Sequence, residues 1–191
     1  LGIVAALNQN GFLDHLSIAI AVIGISIPSF IIASVLQYLL SVKLGILPVA
    51  LWGDFKSTIL PTFALGIGSV ATIARLMRTS MLEVTGEDFI KTAKAKGLSK
   101  GEITMKHQLR NSLLPVITVM GPLVATLLTG TFVIENIFAI PGLGRHYVIS
   151  IQTLDYPLIL GMTIVYSVFL VLMQVVVDLV YGLVDPRIKM K

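Results

Sequence analysis

The side chains able to do chemistry are few, and their spacing supports little of it. The three histidines, His15, His107 and His146, fall on separate stretches with no metal-ligand spacing, and there is no cysteine. Thiolate metal sites and disulfides are therefore excluded. Asp14 beside His15 reads as a loop pair without a third partner, and no Gly-x-Ser-x-Gly elbow occurs. The phosphate-binding pattern G-x-x-x-x-G-K-[ST] is also missing. The expectation is a protein that is not an enzyme and needs neither cofactor nor metal. If it pumps, the energy must come from a partner.

Charges concentrate in residues 83–110. Thr85 followed by Asp88 fits an [ST]-x-x-[DE] helix start. Glu87 and Asp88 then lie in a first turn, and Lys91, Lys94 and Lys96 approach the end. Gly97 sits where a helix-terminating glycine belongs. Acids first and bases last complement the helix dipole. Ser99 and Glu102 form a second start, a capping box. The stretch predicts two short helices, the second from about Gly101 to Leu114, with Pro115 leading into an apolar run. Phe89, Ile90 and Ala93 can share one face of the first. That helix suits either a groove on a partner protein or a lipid surface.

These helices must be positioned by a membrane bundle. The chain of 191 residues is 55% hydrophobic and 13% charged, against about 25% charged in ordinary soluble domains. Its mean hydropathy is +0.93. Charge-poor stretches of about 20 residues, the length that crosses a bilayer as a helix, predict spans over about 16–42, 57–78, 111–135 and 156–184. Residues 1–7 read as the end of an earlier span, so the chain is expected to be the C-terminal portion of a longer polypeptide. The fold class is all-α, a polytopic transmembrane helix bundle, because lipid leaves open strands unsatisfied. Pro28 and Pro61 predict kinks. Gly121, Ala125 and Thr129 recur every fourth residue, a spacing that lets helix backbones approach closely. No ionisable side chain lies mid-span, which argues against an ion-coupled carrier. Arg75 and Arg78 flank the second span, where they can snorkel to headgroups.

Orientation follows from the basic residues. Arg75, Arg78, Lys91, Lys94, Lys96, Lys100, Lys106, Arg110, Arg187, Lys189 and Lys191 fall on one side. Lys43, Lys56 and Arg145 fall on the other. The positive-inside rule places the first side, including the 83–110 loop and the C-terminus, in the cytoplasm.

The words Phe89-Ile90-Lys91-Thr92-Ala93-Lys94-Ala95-Lys96-Gly97-Leu98-Ser99 and Arg110-Asn111-Ser112-Leu113-Leu114-Pro115-Val116-Ile117-Thr118 resemble the cytoplasmic loop of ABC importer inner-membrane permeases. The similarity is to the dipeptide/oligopeptide/nickel branch. The family's general loop motif has Glu-Ala-Ala ahead of its glycine. Aligned on Gly97, this chain has Lys91, Thr92 and Ala93 there. The later Ile-x-Leu-Pro falls on His107-Gln108-Leu109-Arg110, keeping Leu109. Ser26-Ile27-Pro28-Ser29-Phe30, Leu47-Pro48, Glu135-Asn136-Ile137-Phe138, Pro141-Gly142-Leu143-Gly144, Asp155-Tyr156-Pro157 and Val184-Asp185-Pro186-Arg187 resemble segments of the same branch in the same order.

The resemblance implies a MetI-like permease with four complete spans here. It would pair with a second homologous permease, two cytoplasmic ATPases and an external solute-binding protein in the cell membrane, with no nucleic-acid partner. The ATPase-coupling residues would be Phe89, Thr92, Ala93, Ala95, Lys96, Gly97 and Leu98. An external loop carrying Glu135, Pro141, Gly142 and Gly144, with a short helix over 147–154, would meet the binding protein, form an outer gate, or simply cap a helix. A nickel-chelate importer, a passive channel or secondary carrier, and a structural membrane subunit are the alternatives.

Overall fold

The computed structural model describes residues 1–129 and 131–184. The Asp185-Pro186-Arg187 word and the basic residues Arg187, Lys189 and Lys191 lie outside the described residues. Among those described, every regular element is helical. The helices are α1 (Gly2–Leu7), α2 (Phe12–Ser26), α3 (Ser29–Leu36), α4 (Phe55–Gly86), α5 (Asp88–Ala95), α6 (Lys100–Glu102), α7 (Leu109–Thr129), α8 (Phe132–Ile137), α9 (Leu143–Gln152) and α10 (Tyr156–Val184). π-helical turns extend α3 over Gln37–Lys43 and join α6 to α7 over Ile103–Gln108.

The stretches Phe55–Gly86, Lys100–Ile137 (which includes the undescribed residue 130) and Tyr156–Gly182 are long and apolar enough to cross a membrane. The pair Phe12–Ser26 and Ser29–Lys43 makes a fourth if counted as one span, sharply bent at its break. Pro28 explains the break, since it lacks an N–H and its ring clashes with the preceding helical turn. Pro61 lies inside α4 without ending it. At 32 residues, α4 is about 48 Å long, well beyond a hydrocarbon core of about 30 Å. Its charged end, from Arg75 onward, is the surplus.

Helix starts follow side-chain chemistry. Asp54 accepts from the Ser57 N–H at 2.9 Å to open α4, and Asp155 accepts from the Leu158 N–H at 3.2 Å to open α10. Pro157 sits in that first turn, where backbone N–H groups have no helical acceptor. The apolar stretch of α10 stays exposed along its length, as a lipid-solvated surface would.

The chain packs as two compact units. Leu1–Ile23, Val70–Gly121 and the residues from Val175 onward form the first. Its core is Met77, Met81 and Val116, with Ala6, Ile73, Leu76 and Leu109 packed around them. Tyr181 donates to the Leu114 carbonyl at 3.1 Å, tying α10 to α7. Gly24–Ser69 and Pro122–Gln174 form the second unit, with a core of Ala33, Leu60, Ala64, Ile134 and Phe138. There the Gln37 amide donates to the Val49 and Ile137 carbonyls at 2.7 and 3.1 Å, closing loop backbone that no helix satisfies. Gly121, Ala125 and Thr129 are all buried, as close helix packing of small residues requires.

Two sequence expectations change. Thr85 does not cap α5: it lies inside α4 and donates to the Met81 carbonyl at 2.6 Å, while Glu87 occupies the cap position. Pro115 does not separate a cytoplasmic helix from the third span, because it lies within α7.

Met81 is almost fully buried. Met81→Ala is expected to cost about 2–5 kcal/mol by opening a cavity. A lowered melting temperature of the detergent-purified protein would show it.

Candidate coupling segment and external loop

The first candidate is built on α5. The helix ends at Ala95, Lys96 is its C-cap, and Gly97 takes φ +77°. The Leu98 N–H reaches the Ala93 carbonyl at 3.3 Å and the Gly97 N–H reaches the Lys94 carbonyl at 3.0 Å. This is a Schellman turn, which needs a left-handed residue that glycine supplies without strain. Leu98 then folds back onto a cluster of Ile90, Ala93 and Ile103, beside Val84.

The turn sorts the expected coupling residues into two faces. Ala93 and Leu98 point inward with Ile90, whereas Phe89, Thr92, Ala95, Lys96 and Gly97 are exposed. Phe89 therefore does not share a face with Ile90 and Ala93; it stands with Thr92 and Lys96 at i, i+3 and i+7. The Lys91–Asp88 ion pair at 2.7 Å is exposed on both sides and adds little.

The second half of the segment begins at the expected capping box, with Ser99 Oγ accepting from the Glu102 N–H and the Glu102 side chain accepting from the Ser99 N–H. Buried Gln108 joins it to the end of α4. Its Nε2 donates to Thr85 Oγ1 at 2.9 Å, and its Oε1 accepts from Thr104 Oγ1 at 2.8 Å. These bonds, centred on a buried amide, tie the three turns together. The end of α4, α5 and the turns leading to α7 thus form one braced corner presenting one exposed stripe.

On the second candidate, the loop after α8, three of the four expected residues meet. Glu135, on α8, is buried. Its carboxylate accepts from the Gly144 N–H at 3.3 Å and the Arg145 N–H at 2.6 Å. Those are free N–H groups in the first turn of α9. A negative charge there also complements the helix dipole. Gly142 and Gly144 leave room for the carboxylate: a Cβ on Gly142 would run into it, and one on Gly144 would lie 2.8 Å from the Phe132 nitrogen. Pro141 stays exposed at the turn. The helix here is Leu143–Gln152, four residues earlier than the expected start, because the remote carboxylate caps it.

Sequence reasoning missed one pair. Asp14 is not a loop residue beside His15. It lies in the first turn of α2, fully buried, and is bonded to Arg78 of α4. Arg78 accordingly turns inward rather than snorkelling. With the two 64 positions apart in sequence, only their common side in the span topology hinted at it.

Gly97→Ala should strain the left-handed turn by about 1–2 kcal/mol, seen as faster amide exchange at residues 97 and 98. Gly142→Ala should lower thermal stability, because its Cβ displaces Glu135. Gly101→Ala, where a Cβ meets nothing within 4 Å, should be neutral or stabilising by up to about 1 kcal/mol.

Comparison with known proteins agrees with this architecture. Residues 1–190 match the family described as the binding-protein-dependent transport system inner membrane component. The chain is 56% identical over 190 residues to the dipeptide transport system permease protein DppB of Bacillus subtilis, covering 100% of this chain and 62% of that protein. It is 43% identical over 190 residues to DppB of Lactococcus lactis subsp. cremoris (100% and 63% covered). To the oligopeptide transport system permease protein OppB of Haemophilus influenzae it is 44% identical over 190 residues (98% and 62% covered). The chain thus spans just under two thirds of these relatives. With helices of membrane-crossing length and a match over nearly every residue, the chain belongs to the binding-protein-dependent transport system inner membrane component family.

Proposed function

We propose that the protein containing this chain is the permease subunit of an ATP-driven importer of dipeptides or oligopeptides. The observation that carries this is the 56% identity to a dipeptide permease across the whole chain. The braced corner with an outward stripe supports it. The permease pairs with a homologous permease, two cytoplasmic ATPases and an external solute-binding protein. Residues 83–110 and the C-terminus lie in the cytoplasm. Phe89, Thr92, Ala95, Lys96 and Gly97 meet the ATPase, while Ala93 and Leu98 hold the stripe in position from beneath. Spans over about 16–42, 57–78, 111–135 and 156–184 surround the solute path. ATP binding closes the ATPase pair, and α5 carries that motion into a bundle with two stable arrangements. The loop of Pro141, Gly142 and Gly144, pinned by Glu135, meets the binding protein or forms an outer gate.

The test is uptake into proteoliposomes holding the full-length protein with its companion subunits. Di-, tri- and pentapeptides and chelated nickel are offered in parallel. Peptide uptake that needs both ATP and the binding protein is expected. Nickel uptake would move the protein within its branch, and uptake without the ATPases would overturn the reading. Gly97→Val should cut uptake per ATP by about fivefold or more while leaving the spans folded. Deleting residues 142–144 should impair docking or uptake.

A further inference from the structure

The Asp14–Arg78 pair stands apart from both candidate sites, and its geometry is specific. Arg78 Nε donates to Asp14 Oδ1 at 2.5 Å and Nη2 to Oδ2 at 2.8 Å. The Asn10 N–H, from a residue at φ +62°, adds a third bond to Oδ2 at 2.8 Å. Asp14 is completely buried, and the Arg78 side chain is 21% exposed. A two-pronged guanidinium–carboxylate contact fixes angle as well as distance. A buried ion pair is nonetheless a poor source of net stability, because desolvation offsets most of the attraction. As a stiff link between two helices it has a clearer use.

The two helices it joins are informative. Arg78 lies eight residues before Gly86, the end of α4, which is about 12 Å along the axis. Only Glu87 then separates α4 from α5. Between Arg78 and that junction, Val84 packs on the cluster under α5, and Thr85 holds Gln108. A displacement of α5 must therefore carry the end of α4 with it. Asp14 is in the first turn of α2, which runs to Ser26.

We infer that the Asp14–Arg78 pair is the joint that passes displacement of α5 to α2, so that both are positioning residues for the coupling of ATP use to solute movement. The inference rests on the reading of 83–110 as the ATPase-coupling segment. Loss of one partner would leave a buried charge unpaired and disturb folding. The informative variant is therefore Asp14→Val together with Arg78→Met, which removes both charges at similar volume.

The experiment measures peptide transported per ATP hydrolysed in the reconstituted full complex, with assembly checked by size-exclusion chromatography. The double variant is expected to assemble and hydrolyse ATP at the wild-type rate. It should transport at least about fivefold less peptide per ATP, the lower end of typical coupling between sites. Arg78→Lys, which keeps the charge and loses the fork, should fall between. An unchanged ratio in the double variant overturns the joint. Should that variant fail to assemble, an unchanged ratio in Arg78→Lys overturns it equally. A wild-type complex lacking ATP-dependent uptake overturns the importer reading and the joint with it, and is distinguished by failing before any substitution is made.

Discussion

A backbone N–H or C=O inside hydrocarbon has no water to bond, and each one left alone costs several kcal/mol. Among the described residues, several helix ends and breaks are closed by identifiable groups. Asp54 and Asp155 cap α4 and α10 with their own side chains. Gln37 closes two loop carbonyls, and Glu135 caps a helix that it does not belong to. At the α5 end, glycine geometry satisfies the carbonyls of Ala93 and Lys94 without a side chain.

The same constraint shapes the regions that can act. A connection of residues 83–110 that was free to hydrate its backbone could have been unstructured. Here it is braced by an apolar cluster beneath α5 and by the Thr85–Gln108–Thr104 network. The exposed stripe of Phe89, Thr92 and Lys96 has no energetic reason to face outward except that Ile90, Ala93 and Leu98 already fill the inner side. In the loop between α8 and α9 the bracing is electrostatic, with a buried carboxylate against a helix N-terminus and two glycines that give it space.

Much of this was legible in the residue order. Charge-poor runs of spanning length gave the helical class, and Pro28 marked the break. Gly97 after Ala95-Lys96 marked a left-handed terminus, and Ser99 with Glu102 marked a capping box. These signals are local, acting over three or four residues or over one span. Where two local signals competed, sequence reading erred. Thr85 satisfies the same pattern as a true cap, but α4 continues through it because Val84 and Gln108 hold that turn in place. Pro115 carries a breaking signal that α7 overrides, its neighbour Leu114 being held by Tyr181.

What the sequence determined by itself is therefore the helical class, the break at Pro28 and the glycine turn at Gly97, which follow from short-range chemistry and composition, together with the likeness of successive words to a permease family. Only the tertiary structure decided which side chains meet across long separations. It turned Phe89 outward while Ile90 and Ala93 went inward, placed Glu135 at the start of α9, and joined Asp14 to Arg78. The physical reason is that a side chain's partner depends on how helices pack, and packing is a collective property of all the spans rather than of any one stretch of residues.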